Sequence, residues 1–248
     1  VVEVLKPPAG WVERAEGLGL SFAPGDVERL GVYLSLLLDA NTRMNLTAIR
    51  DTEEAWDKHI YDALTLVPVL AGVSADGGQP PSVIDVGSGG GIPGLVLACV
   101  MPGVRFTLLD ATGKKCAFLR ETADRLGLSN VAVAHDRAER AGAHPGGPHR
   151  AEHDAVVSRA VGRMAMLLEL TVPLAKVGGL VVLTKGQKAE EELGEAKRAL
   201  HMLHAAHAGT VNTETGRVVV IEKLRQTPRA YPRSDGEPKR APLGLGRS

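Results

Sequence analysis

The apolar positions of this chain change period near residue 80. Before it they recur at helical spacing. Val27, Leu30, Tyr33, Leu34, Leu37 and Leu38 make one stripe, as an amphipathic helix requires. Asp51 followed by Glu54 has the spacing of a capping pair and opens a second helix through Trp56, Ile60, Leu64 and Leu66. Ala71 to Pro81, rich in Gly, Ser and Pro, reads as a boundary loop. Beyond it, short apolar runs alternate with helical ones. The pattern predicts strands at 83–87, 104–110, 130–135, 154–158, 179–185, 208–213 and 217–224. It predicts helices at 93–101, 112–126, 162–175 and 188–206. Such alternation builds a mostly parallel sheet covered by helices on both faces. Only Thr213 to Gly216 separates the last two strands, so they form a hairpin and one of them runs antiparallel. The expected architecture is α/β and doubly wound, with a seven-stranded sheet over 81–227. A helical extension precedes it over 1–80, and a tail follows over 228–248.

A chain of 248 residues with 44% hydrophobic content is long enough for one sizeable α/β domain and an extension. Net charge is zero, so whole-molecule charge gives no sign of a nucleic-acid partner. Its distribution changes that picture. From Lys223 to Ser248, seven Lys/Arg stand against two acids, a local charge of +5. Pro228, Pro232 and Pro238 are expected to keep this tail extended, so that its cations track a phosphate backbone independently of the folded domain. The other readings are a solvated tail, or a tail pinned against the domain by Pro242-Leu243. Cys99 and Cys116 lack metal-ligand spacing and read as small core residues of a reducing compartment. Neither His144, His149 and His153 nor His201, His204 and His207 fit a standard metal site, and no metal is expected. No basic-then-apolar leader opens the chain and no run of 18 apolar residues occurs, so a cytoplasmic protein with no membrane partner is expected.

The richest stretch is Ser82 to Gly94. A β-branched run holds Asp85, then Gly87, Gly89, Gly90, Gly91 and Gly94 crowd together before an apolar helix. Glycines there let the backbone turn sharply and let a ligand approach the main chain. The next strand ends in Asp110, placed to hold a ribose hydroxyl pair. These features point to a nucleoside-containing cofactor. A dinucleotide fits Gly89-Gly90-Gly91-Ile92-Pro93-Gly94 weakly, and a loop without ligand remains open. Asp85 favours S-adenosylmethionine, because a carboxylate suits its ammonium and opposes a pyrophosphate.

Ligands of open α/β sheets gather at the carboxyl ends of the strands. Those ends supply Asp85, Gly87 and Gly89, then Asp110, Ala111 and Thr112, then Asp136 to Glu139 with Ala138 against an adenine. Ser158-Arg159-Ala160 and Thr184-Lys185-Gly186 follow. Enzymes that methylate exocyclic amines place an Asp/Asn-Pro-Pro-aromatic run at the fourth end, and Ser158-Arg159-Ala160 is no such run. Methylation of a pyrimidine carbon needs a cysteine nucleophile, and both cysteines lie on the wrong elements. Acceptors with a free lone pair remain, guanine N7 among them, and these need no general base. Arg159 and Lys185 are the catalytic candidates, to hold phosphate or guanine O6. A structural ion pair or a contact to the cofactor carboxylate is the alternative for each. Arg159 has no evident packing role, so it is expected to matter to turnover more than to folding.

Several runs together resemble the glucose-inhibited-division protein B family of bacterial small-subunit ribosomal RNA guanine-N7 methyltransferases. They are Asn45-Leu46-Thr47-Ala48 with His59-Ile60, the Asp85–Gly94 loop, Gly113-Lys114-Lys115 with Phe118-Leu119, and Arg137-Ala138-Glu139. Ser158-Arg159-Ala160, Lys185-Gly186, and Tyr231-Pro232-Arg233 running to Pro242-Leu243 complete them. The resemblance spans nearly the whole chain. It implies a Rossmann-like class I methyltransferase fold and donor contacts at Gly87, Ile92, Ala138, Glu139 and Arg159. Ala111 stands where serine is common in that family. The implied partner is small-subunit ribosomal RNA or a ribosomal particle, met by a monomer. Lys114, Lys115, Arg229, Tyr231 and Arg233 are the expected RNA contacts, with Tyr231 stacking on an unpaired base. Asn45 and His59 read either as RNA-facing or, preferably, as capping and packing residues. Other outcomes are a methyltransferase acting on a protein or small molecule, or a ribosome assembly factor that retains the fold without catalysis.

Overall fold

The computed structural model describes residues 3–159 and 162–245; Ala160 of the predicted fourth-strand end lies outside them. The strands are β1 (Ser82–Val86), β2 (Arg105–Asp110), β3 (Val131–His135), β4 (His153–Ser158), β5 (Ala175–Lys185), β6 (Ala205–Asn212) and β7 (Arg217–Lys223). They form one seven-stranded sheet in the order β3-β2-β1-β4-β5-β7-β6. The first five pair in parallel, and β7 runs antiparallel between β5 and β6. The chain winds outward from β1 through β2 and β3, then returns to lay β4 on the other side of β1. That reversal opens a crevice at the carboxyl ends of β1 and β4.

Alternation along the strands fills both faces. Ile84, Val86, Val156, Val181 and Leu183 pack beneath the helices Met164–Thr171, Ala189–Glu195 and Lys197–Leu203. Val83, Phe106, Ala155, Val157 and Val182 face the helix Gly94–Val100. The N-terminal helices have no separate core. Leu30, Tyr33, Leu34 and Leu37 of Asp26–Met44 are fully buried in one cluster with Leu95, Val96, Leu108 and Phe118. Each such leucine stabilises the fold by about 1.5–3 kcal/mol, which fixes the extension on the sheet. Asp51 Oδ1 accepts the Glu54 N–H at 2.8 Å as the capping pair predicts. The helix begun there widens into a π-turn over Trp56–Tyr61, which buries Trp56, His59, Ile60 and Tyr61 together.

Some boundaries moved for identifiable reasons. β5 starts at Ala175, earlier than predicted, because Ala175 pairs with His153 before the register shifts across Gly178 and Gly179. Those glycines are an irregularity within the strand. The predicted helix 188–206 is two helices hinged at Ala196, and it stops at His204, whose φ is 60°. Ala205 and Ala206 join β6 instead, because pairing with β7 outweighs their helical propensity. The predicted helix 162–175 ends at Thr171 in a 3₁₀ turn, Val172–Leu174, at Pro173.

The tail departs most from expectation. It is docked, not extended. Arg150 donates to the carbonyls of Gly142, Thr227 and Tyr231 at 2.6, 2.8 and 2.7 Å, joining the loop that carries His144 and His149 to the C-terminal segment. Leu243 is buried, and Glu237–Arg240 is a short helix with Pro238 in its first turn. A first-turn proline is tolerated because no amide donor is needed there.

Candidate cofactor and RNA site

A cavity of ≈ 190 Å³ lies at the carboxyl ends of β1, β2 and β4. Gly87, Asp110, Ala111, Ala138 and Glu139 line it, as do Ser158, Met166, Leu167 and Leu170. The first group was legible in the sequence. The apolar wall from the helix Met164–Thr171 was not, since its leucines carry no mark that separates cavity lining from core.

The glycine loop is shaped by its backbone. Gly87, Gly89 and Gly91 have φ of 76, 55 and 94°, a region that side chains with a Cβ rarely enter. The Gly87 and Ser88 amides both donate to the Leu109 carbonyl, at 2.9 and 3.2 Å, locking the loop to β2. A Cβ on Gly87 would meet nothing within 4 Å, so the main chain there stands open to a ligand. Tyr33 of the N-terminal extension donates to the Gly90 carbonyl at 2.9 Å and holds the loop from behind. Ile92 packs toward that same helical core and is not part of the cavity lining.

Asp85 is fully buried at the end of β1. Its Oδ2 accepts the Gly94 amide at 3.0 Å, while Oδ1 has no hydrogen-bond partner among the described residues. A Cβ on Gly94 would run into Leu108 Cδ2 and stand 2.7 Å from Asp85 Oδ2, so only glycine lets this carboxylate sit here. Burial pushes the Asp85 carboxyl up to about 7. A buried carboxylate with an orphaned oxygen costs free energy until a donor or a cation meets it. The unmet oxygen has the chemistry to accept from a ligand ammonium, while Asp85 itself lies behind the cavity and not in its lining. Asp110 is also buried, with Oδ2 on the Gly89 amide at 3.0 Å and Oδ1 on the Thr112 amide at 2.8 Å. Each oxygen keeps a further lone pair, which suits a ribose diol at the cavity wall. Thr112 itself stands at the N-cap position of the helix Gly113–Leu126 without a side-chain capping bond, exposed and outside the lining. Glu139 reaches the cavity, but its Oε1 already accepts the Gly236 amide at 2.9 Å.

Two catalytic candidates are corrected. Lys185 is buried; its Nζ lies 2.7 Å from Glu192 Oε2 and donates to the Gly162 carbonyl at 2.7 Å. A buried ammonium so satisfied is a structural ion pair and is not presented to phosphate. Arg159 sits just past β4, but its Nε pairs with Asp62 Oδ2 at 3.1 Å. Its Nη1 donates to His59 Nδ1 at 3.3 Å. His59 hydrogen-bonds Thr47 Oγ1 at 2.8 Å through the other nitrogen. Burial and the Arg159 charge hold His59 down at about 4, hence neutral. Arg159 therefore has the packing role that the sequence did not show: it ties the extension to the end of β4. The same pairing bears out the packing reading of His59, and Asn45 ends the helix Asp26–Met44 with φ 47°.

Of the expected RNA contacts, Lys114 and Arg229 are exposed and Lys115 half-buried. Tyr231 is half-buried against the core. Arg233 is committed elsewhere: it forks onto Glu169, with Nε and Nη2 at 2.8 and 2.6 Å, which ties most of its guanidinium to the core.

Fold and cavity together define a methyltransferase of the S-adenosylmethionine-dependent class. The structure is similar to a SAM dependent methyltransferase from Aquifex aeolicus, with a TM-score of 0.52 over 73% of this chain and 97% of that one. At 16% identity that likeness is one of fold alone. The GidB family pattern, rRNA small subunit methyltransferase G, matches residues 26–220, and the chain belongs to that family. It is 46% identical over 228 residues to the ribosomal RNA small subunit methyltransferase G of Sorangium cellulosum, covering 92% of each chain. It is 37% identical to the protein of that name from Streptococcus pyogenes serotype M4, covering 95% of this chain and 99% of the relative.

Proposed function

We propose that this chain transfers the methyl group of S-adenosylmethionine to N7 of one guanine in 16S ribosomal RNA, as a cytoplasmic monomer. The observation that carries the choice of atom is the state of the β4 end. The Ser158 hydroxyl donates to the Val86 carbonyl at 2.8 Å, and Arg159 is bound to Asp62. No carboxylate or amide at that end awaits the proton of an amine acceptor among the described residues. Guanine N7 has no proton to give up. Attack by its in-plane lone pair forms the new N–C bond as the C–S bond breaks, and positive charge passes from sulfur to the base. The chain has only to bind, align and exclude water.

When bound, S-adenosylmethionine supplies a methyl group on a positively charged sulfur. Asp85 would hold the ammonium end beside Gly94, Gly87 and Gly89 would admit the donor along their main chain, and Asp110 would hold the ribose. Ala138, Met166, Leu167 and Leu170 would enclose the adenine. Lys114, Lys115 and Arg229 would bind RNA phosphate. Purified protein given tritium-labelled donor should label small-subunit RNA or its assembled particle. Label in protein or small-molecule acceptors instead would overturn the acceptor, and no label at all would favour an assembly factor. Gel filtration at the mass of one chain is expected; a dimer would refute the monomer.

A further inference from the structure

We propose that residues 233–236 are a clamp on the cofactor cavity, with Asp235 as a positioning residue for the adenosine end of the donor. The cavity has two walls on this side. One is the turn that carries Arg137, Ala138 and Glu139; the other is the helix Met164–Thr171, through Met166, Leu167 and Leu170. A single stretch of the C-terminal segment holds both. Arg233 is the fixed anchor. Its backbone amide, Nε and Nη2 all donate to Glu169, at 2.9, 2.8 and 2.6 Å, and the Glu169 side chain is 0% exposed. Arg233 Nη2 also reaches the Ala241 carbonyl at 2.6 Å, closing the segment on itself. Two residues further on, Asp235 Oδ2 lies 2.6 Å from Arg140 Nη2 and 3.4 Å from Arg137 Nε. The Gly236 amide then donates to Glu139 Oε1 at 2.9 Å, with Gly236 at φ 78°.

The two grips differ in kind. The Glu169 grip is buried and belongs to the core. The Asp235 grip is at the surface, with the aspartate side chain 34% exposed and its arginines more so. Releasing it frees the turn around Ala138 without opening the core. The C-terminal segment is thus a component of the cofactor site, not an independent RNA-binding tail. This rests on the cavity being where the donor's adenosine sits, which the experiment checks separately.

Binding of S-adenosylhomocysteine to the full chain is measured by calorimetry for the wild type, Asp235→Ala, Asp235→Glu, Arg140→Ala and the double Asp235→Ala/Arg140→Ala. Ala138→Trp, which fills the cavity, tests the underlying reading. Asp235→Ala is expected to weaken binding roughly three- to tenfold, the scale of a partly exposed ion pair that acts on a binding wall. The donor KM should rise by the same factor, with the melting temperature near wild type. Arg140→Ala should give a similar loss, and the double variant no more than either single. Asp235→Glu should recover most of the affinity. Unchanged affinity in Asp235→Ala and Arg140→Ala, with binding lost in Ala138→Trp, would overturn the clamp. So would a loss that follows the melting temperature and that Asp235→Glu does not recover. Normal binding by folded Ala138→Trp would instead overturn the placement of the cofactor.

Discussion

Asp85→Asn removes a titration that the fold works against. Burial holds the Asp85 carboxyl at about 7 instead of the ordinary 3.8, with Oδ2 on the Gly94 amide and Oδ1 unmet. Between those values the native state binds the proton more tightly than the unfolded chain. The contribution of this group is therefore fully present below 3.8 and is lost as pH rises through about 7. The difference corresponds to roughly 4 kcal/mol, at about 1.4 kcal/mol per pKa step of one. Asparagine keeps the shape and the acceptor for Gly94 but has no proton to lose. Urea unfolding from pH 5 to 8 should show the variant gaining on the wild type as pH rises, by up to about 3 kcal/mol, the part of the span that lies above pH 5. Taking the difference cancels His59 and His153. Burial lowers both to about 4, so their contribution has the opposite sign: present above 6.5 and lost as pH falls through about 4. Donor binding reverses the balance, since an ammonium beside Oδ1 favours the charged form. Below pH 7 the wild type should release a proton on binding S-adenosylmethionine, measured by calorimetry in buffers of different ionisation enthalpy. The variant should release none and bind about tenfold more weakly or worse, the loss of one charged hydrogen bond. A stability difference independent of pH, or equal proton release by both proteins, would refute this account of Asp85.

Gly94→Ala should lower stability by about 1–3 kcal/mol through overpacking against Leu108 and should displace Asp85, weakening S-adenosylhomocysteine binding; calorimetry and unfolding check both. Among the described residues Arg159→Ala leaves the Asp62 carboxylate with only the Thr215 hydroxyl, donated at 2.5 Å, and should cost about 1–3 kcal/mol in urea unfolding. An unchanged midpoint would return Arg159 to a purely catalytic role. Lys114→Ala and Arg229→Ala should each weaken RNA binding and reduce its salt slope by roughly one, leaving S-adenosylhomocysteine affinity intact; equal slopes would mean that neither side chain meets a phosphate.

The glycine loop, Asp85 and Asp110 were readable because each breaks a local rule. An acid inside a β-branched run, or glycines at the mouth of a helix, has few explanations besides a ligand. Charged residues elsewhere gave no such signal. A cation in a sequence carries no mark of whether its charge is already met, so Lys185 and Arg159 looked catalytic while Glu192 and Asp62 held them. The tail misled for the same reason. Its prolines suggested extension, yet Arg233 has a buried partner in Glu169 and Arg150 a row of backbone carbonyls. One clue was present: Glu169 lies within Leu167-Leu168-Glu169-Leu170, and an acid in so apolar a run needs a cation brought from elsewhere.

The central claim is methyl transfer to guanine N7 in small-subunit ribosomal RNA. Its most direct test is mass spectrometry of nuclease fragments of 16S RNA from cells with and without this protein. The account predicts one N7-methylguanosine that is present with the protein, absent without it, and less abundant when Asp85→Asn replaces the wild type. Identical modification profiles, or a protein-dependent methyl on any other atom, would contradict it.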